Sequence, residues 1–201
     1  AAEALCHTWH HLYSLSVICL RFFTVYGPRQ RPDLAINRFV RLMRAGEAVP
    51  QYGDGSSLRD YTYVADIVRG VVAALELPAD YEVINLGGDA PVSLAELIRL
   101  VAEALGVEPR VEVLPEQPGD VPCTWADISK AQRLLGWRPE WSLREGLREF
   151  IRWWDAQPAA HGQLAAAPGA GRARAAVPRA KQRVGGECGL QAPGRPRPAA
   201  R

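Results

Sequence analysis

The sequence predicts an α/β fold with parallel strands, on three observations. Residues 16–23, Ser-Val-Ile-Cys-Leu-Arg-Phe-Phe, form a nearly unbroken apolar run between turn residues, as in a strand covered on both faces of a parallel sheet. A helical stretch at 1–13 precedes it, which makes the α-β half of a crossover unit. Helix and strand patterns then alternate up to residue 157, where the composition changes abruptly.

Residues 1–13 are rich in Ala, Leu and Glu and end near Tyr13-Ser14 without a glycine cap. After the apolar strand, Tyr26-Gly27-Pro28 starts a loop crowded with Arg29, Arg31 and Pro32. Ile36, Phe39, Val40 and Met43 recur at three- and four-residue spacing, so 36–45 reads as an amphipathic helix closed by Gly46. Val49–Tyr52 is a short strand. Gly53-Asp54-Gly55 then turns the chain into another strand, in which Arg59, Asp60 and Thr62 interleave with apolar or aromatic residues. A helix follows from about Asp66 to Glu76, and a strand at Tyr81–Leu86 stops at Gly87-Gly88. Ser93-Leu94-Ala95-Glu96 is a capping-box pattern opening a helix to Leu105, with Gly106 at its end. Residues 110–114 alternate outward charge with inward Val, as a strand. Ser129–Leu135 is a short helix, and Ser142-Leu143-Arg144-Glu145 is a second capping box that opens a helix through Trp154.

A chain of 201 residues is long enough for one domain with its own core. No apolar run approaches the ~20 residues that span a bilayer, and residues 1–5 lack the basic start and apolar centre of a signal peptide. The first residue is not Met, which reads as a chain beginning inside a longer protein. The net charge of +2 conceals a tail, 158–201, of +7 (seven Arg and one Lys against Glu187), which leaves −5 for residues 1–157. A body of that sign is not the footprint of a nucleic-acid binder. Cys6, Cys19, Cys123 and Cys188 form no C-x-x-C pair and read as free thiols of a cytoplasmic protein. The tail is Ala, Pro, Gly and Arg with almost no large apolar residue, so it is expected to be disordered.

The candidate chemistry begins with Arg59. A guanidinium fixed on a strand beside a glycine turn suits a phosphate, because its planar fork donates two parallel hydrogen bonds. Taken alone, the same residues read more readily as a surface hairpin. Thr24, Tyr26, Arg29 and Arg31 follow the carboxyl end of the apolar strand, where ligands sit in open parallel sheets. They suit an anionic, hydroxyl-rich ligand and a solvated basic loop equally well. Asn85 ends a strand before two glycines, and Asp120 lies in a Gln-Pro-Gly-Asp turn. Glu3, His7 and His11 share helical spacing, but no second ligand cluster accompanies them, so no metal site is expected. The chain has no Gly-x-Ser-x-Gly, His-Glu-x-x-His, Gly-x-x-x-x-Gly-Lys or Gly-x-Gly-x-x-Gly.

Six segments occur in series: residues 21–33 (Arg-Phe-Phe-Thr-Val-Tyr-Gly-Pro-Arg-Gln-Arg-Pro-Asp), Tyr52-Gly53-Asp54-Gly55, Arg59-Asp60-Tyr61-Thr62-Tyr63-Val64, Asn85-Leu86-Gly87-Gly88, Pro118-Gly119-Asp120-Val121 and Leu135-Gly136-Trp137-Arg138-Pro139. Together they resemble the NAD-dependent nucleotide-sugar epimerases and dehydratases of the extended short-chain dehydrogenase/reductase superfamily, with wording most similar to UDP-glucuronate 4-epimerases. The resemblance covers about residues 1–155. It implies the C-terminal part of that fold, truncated at the N-terminus: the end of the Rossmann sheet plus the small α/β substrate-binding domain. Residues 1–34 would then be a remnant of the NAD-binding domain and 35–157 the nucleotide-sugar-binding domain.

The resemblance also implies roles. Arg59 would bind the UDP diphosphate, Asn85 and Asp120 would contact the nucleotide or its ribose, and Gln51 and Tyr52 would frame it. Thr24 and Arg31 would face the sugar, with Arg31 meeting a C6 carboxylate. The backbone of Phe22 and Phe23 would lie near the nicotinamide. The family's Tyr-x-x-x-Lys and glycine-rich NAD fingerprint are absent from this sequence, so no catalytic residue is assigned. The expectation is therefore a UDP-sugar-binding half that is inactive alone, with NAD bound in the parent enzymes but not by this chain alone. A homodimer is implied for the parent, and neither membrane nor nucleic acid is expected as a partner. Two alternatives stand beside it: a fragment of a nucleotide-sugar dehydratase or decarboxylase, and a non-enzymatic binding protein with a basic tail.

Overall fold

A computed structural model of the chain describes residues 1–157; the tail expected to be disordered, 158–201, lies outside the described residues. The elements in chain order are α1 (Ala2–Tyr13), β1 (Val17–Phe22), β2 (Thr24–Tyr26), α2 (Ala35–Arg44), β3 (Val49–Tyr52), β4 (Leu58–Tyr63), α3 (Val64–Leu75), β5 (Tyr81–Leu86), β6 (Pro91–Ser93), α4 (Leu94–Leu105), β7 (Val111–Leu114), α5 (Ser129–Leu135) and α6 (Leu143–Asp155). The predicted mixed α/β architecture with parallel strands holds. Three of the four strand pairs are parallel: β1 with β5, β2 with β4, and β3 with β7. Among the described residues only β6 runs antiparallel, along the start of β4.

Two apolar cores form. The larger gathers α2, α4 and α6 around Tyr26, Val49 and Tyr63. Its α2 contribution is the stripe read from spacing, with Ile36, Phe39, Val40 and Met43 all buried. The smaller core joins Ile84 and Leu86 of β5 to Ile67 of α3 and to Ala126, Ile128, Ala131 and Trp137. The two cores draw on interleaved stretches of chain, because β5 returns to pair with β1 and α5 packs on β5.

Several local expectations are corrected. The strand at β1 is not covered on both faces: its residues are half-buried and it ends exposed at Arg21 and Phe22. Its pair with β5 is only two strands wide among the described residues, and α1, which lies against it, buries none of its own residues. The valines of β7 do not point inward, since Val111 and Val113 are 43% and 66% exposed. The β3–β7 ribbon is likewise two strands wide, and Val111 faces an open groove beside α4. Helix α1 does end without glycine, because Ser14 adopts the left-handed region at φ 54 and its N–H bonds the His10 carbonyl at 2.8 Å.

The two capping boxes behave differently. Ser142 and Glu145 satisfy each other's backbone donors reciprocally. Ser93 caps Glu96 N–H at 3.1 Å, but the Glu96 carboxylate turns away to clamp Arg99 at 2.7 and 2.5 Å. Helix α3 begins two residues early, at Val64, which places Asp66 in its first turn.

Candidate functional site

Strand β4 sorts its side chains by the period of two. Asp60 and Thr62 point into the protein and are wholly buried, whereas Arg59 and Tyr61 line a cleft of about 240 Å³. Asp60 organises the region from beneath. Its carboxylate accepts N–H bonds from Gly88 at 2.7 Å, Asp89 at 3.3 Å and Ala126 at 3.0 Å, tying β4 to the end of β5 and to the segment before α5. Gly87 and Gly88 are required for this approach. A Cβ on Gly87 would lie 2.2 Å from Ala126 Cβ, and one on Gly88 would lie 2.4 Å from the Tyr61 carbonyl.

Asp66 plays the same part for the following segment. Fully buried, it accepts from Arg69 Nη2 at 2.7 Å and from the N–H groups of Glu140 and Trp141 at 3.2 and 3.1 Å. The Trp137 indole donates to the Asp66 carbonyl at 2.8 Å. The Leu-Gly-Trp-Arg-Pro segment is therefore docked on the N-terminus of α3.

Above Asp60, the Arg59 guanidinium is held in place. Nη1 donates to its neighbour's carbonyl, that of Leu58, at 2.8 Å, and Nη2 is paired with the Asp120 carboxylate. Tyr52, Ser57 and Asp120 border this cleft and also a second one of about 210 Å³, lined further by Asp54, Ser56, Glu116 and Gln117. The Gly53-Asp54-Gly55 turn closes the second cleft. Gly53 and Gly55 take φ of 64 and 79, which L side chains rarely adopt, and a Cβ at Gly55 would meet Gln51 Cδ at 2.8 Å. Asp54 accepts from Ser56 N–H at 2.9 Å, and these Ser56 hydrogen bonds hold its carboxyl below the usual range. Bonds from Ala95 and Leu94 N–H to the Gly55 and Ser57 carbonyls, both 3.0 Å, anchor the turn to the start of α4. Burial pushes the Tyr61 hydroxyl up to about 12, so it stays a neutral O–H in the cleft.

The structure thus brings Tyr52, Arg59 and Asp120 together. It places the other expected residues elsewhere. Gln51 lies on the opposite face of β3 from Tyr52 and lines the groove beside α4, as strand alternation dictates. Arg31 already holds a carboxylate in a two-point grip: Nε and Nη2 reach Asp33 at 3.1 and 2.7 Å, raising Arg31 and lowering Asp33 from their ordinary values. Thr24 stands in β2 opposite Tyr61 and lines neither cleft. Asn85 donates to the Asp127 carbonyl at 3.2 Å.

Phe22 and Phe23 continue β1 at the carboxyl edge of the β1–β5 pair. Phe22 is half exposed, and Phe23 packs on the smaller core, its N–H on the Leu86 carbonyl at 3.1 Å. This edge offers an aromatic surface suited to a flat ring such as nicotinamide. The cation that β1 itself carries there, Arg21, is clamped by Glu3 at 2.7 and 2.6 Å. Among the described residues no three His, Cys, Asp or Glu side chains group as metal ligands.

Four polar lining residues were missed from the sequence: Asp33, Arg38, Ser57 and Tyr61. Tyr61 was readable, since it is two residues beyond Arg59 on one strand and shares its face. Arg38 gave no signal, because only the tertiary approach of α2 to β4 places it there.

Comparison with known proteins accords with this arrangement. Residues 1–87 match the family described as "NAD dependent epimerase/dehydratase family". A UDP-glucuronate 4-epimerase of Thermodesulfobacterium geofontis is 45% identical over 153 residues, which is 76% of this chain and 47% of that protein. A solved UDP-glucuronic acid 4-epimerase from Bacillus cereus, in complex with UDP-glucuronic acid and NAD, superposes with TM-score 0.72 at 40% identity, covering 81% of this chain and 50% of that one. A UDP-glucose 4-epimerase from Thermotoga maritima, with UDP-glucose, gives TM-score 0.73 at 35% identity, covering 78% and 51%. The chain spans about half the length of the curated relatives it matches. Residues 1–87 thus carry the match to the NAD dependent epimerase/dehydratase family, and the parallel α/β topology and shared serial segments extend the likeness to solved epimerases over most of the chain.

Proposed function

We propose that this chain binds the nucleotide of a UDP-sugar as the substrate-binding portion of an enzyme resembling UDP-glucuronate 4-epimerase. The observation that carries the reading is Arg59: one guanidinium, braced by a carbonyl, borders the cleft that adjoins the Gly-Asp-Gly turn. Arg59 would take the diphosphate, Asp120 would release it and turn to a ribose hydroxyl, and Tyr52 would separate the two compartments. Arg31 would meet a sugar carboxylate in place of Asp33, the grip already having the right form. Thr24 and Asn85 would complete the sugar and nucleotide contacts, and Gln51 would act from behind by supporting Gly55. Residues 1–34 would belong to the cofactor-binding side and 35–157 to the sugar-binding side, with β5 and α5 returning to the first.

NAD, where bound, supplies the reversible oxidation that such epimerisation needs. The residues present here bind and orient the sugar nucleotide. The sequence contains no Tyr-x-x-x-Lys, so the 201-residue chain is expected to bind UDP without turning over UDP-glucuronate. Titration calorimetry tests this. Arg59→Ala should weaken UDP by at least ~10-fold, since a lost charge-assisted pair is worth roughly 1.5–3 kcal/mol. Arg59→Lys should recover only part of it. Equal affinities for the wild-type chain and Arg59→Ala would overturn the assignment.

A further inference from the structure

A second group of reactive side chains lies between α1 and β1, among residues that line neither Arg59 cleft. Glu3 and Cys6 are three apart on the helix and share a face, and Cys19 and Arg21 are two apart on the strand and share a face. Arg21 clamps the Glu3 carboxylate, and the Tyr81 hydroxyl donates to the Glu3 carbonyl at 3.1 Å. Helix and strand run in opposite directions here. One turn onward from Glu3 therefore meets two residues back from Arg21, which brings Cys6 over Cys19. Both cysteines are half-buried free thiols.

We propose that Cys6 and Cys19 are a reversible dithiol–disulfide site, oxidised by peroxide, that fastens α1 to β1. Burial, reinforced by the adjoining Cys6, raises the Cys19 pKa and keeps it a thiol, so Cys6 is the sulfur that reacts first. The Cys6 thiolate attacks one peroxide oxygen and the O–O bond breaks, giving a sulfenic acid and, after one proton is taken up, water. Cys19 sulfur then attacks the sulfenic sulfur. The S–O bond breaks and the departing hydroxide leaves with the Cys19 proton as a second water. Two thiols lose two electrons and one peroxide gains them, and a dithiol reductant reverses the bond by exchange.

The test treats the 201-residue chain with hydrogen peroxide, alkylates the remaining thiols and maps peptides without reduction. The expected product joins the Cys6 and Cys19 peptides with the loss of two hydrogens, and dithiothreitol restores both. Cys6→Ser and Cys19→Ser should each abolish it, whereas Cys123→Ser and Cys188→Ser should leave it unchanged. Oxidation should also raise the thermal midpoint of the wild-type chain and not that of Cys19→Ser. A cross-link that instead favours Cys123, Cys188 or a second chain, or sulfinic acid at Cys6 with no cross-link, would overturn the proposal.

Discussion

Replacing Asp60 by Ala removes an acceptor that three backbone N–H groups share, at 2.7, 3.0 and 3.3 Å, inside a side chain with no exposed surface. Hydrogen bonds to a charged acceptor are worth roughly 1.5–3 kcal/mol each, and the carboxylate's own desolvation offsets part of their sum. The Ala126 donor is buried and would be left without a partner, whereas the Gly88 and Asp89 donors are only partly buried and water reaches them more readily. A net loss of about 3 kcal/mol follows, a large share of the ~5–15 kcal/mol typical of a domain. Asp60→Asn keeps one oxygen but presents an amide N–H₂ to a backbone donor, so about 1–2 kcal/mol is expected. Urea unfolding monitored by tryptophan fluorescence and far-ultraviolet dichroism measures both variants. If Asp60→Ala stays within ~0.5 kcal/mol of wild type at unchanged m-value, the carboxylate is not the tie described here.

Two further outcomes are expected. A Cβ on Gly146 would lie 2.1 Å from the Tyr26 hydroxyl, so Gly146→Ala should cost roughly 1–3 kcal/mol by overpacking. Tyr26→Phe should relieve that cost in part, because the ring carbons Cζ and Cε2 remain at 2.7 and 2.9 Å, and a double-mutant cycle with no coupling would contradict the contact. Tyr61 has a folded-state value of about 12 against an ordinary 10, so its contribution is complete below pH ~10 and lost as the pH rises towards 12. Two units correspond to roughly 2–3 kcal/mol, and Tyr61→Phe should flatten that part of the stability–pH curve.

Helix α2, strands β3 and β5 and helix α5 were legible because each carries a periodic apolar pattern with a punctuating residue at one end or both. Strands β2 and β6 were not: three residues each, they exist only because β4 supplies partners on both sides. The inward reading of Val111 and Val113 failed since alternation tells which residues share a face, and not which face is covered. At the site, Arg59 and Asp120 were nameable from strand and turn chemistry, and Tyr52 only through the family resemblance. The buried role of Asp60 was hidden by its neighbour, for a carboxylate beside an arginine in sequence looks like its ion-pair partner. The pleat sends the two to opposite sides, and the Arg59 charge is met by Asp120, far along the chain.

If Arg59 takes the diphosphate as proposed, its pairing with Asp120 would make ligand capture an exchange of anions and not an addition. An incoming phosphate gains only the difference between its own attraction and that of the carboxylate it evicts. A carboxylate of single charge competes with Asp120 on nearly equal terms and gains little, whereas a group carrying more charge on more oxygens has a surplus. On that reading the protein's own side chain would set a threshold, screening out the small monoanions that a bare guanidinium would collect.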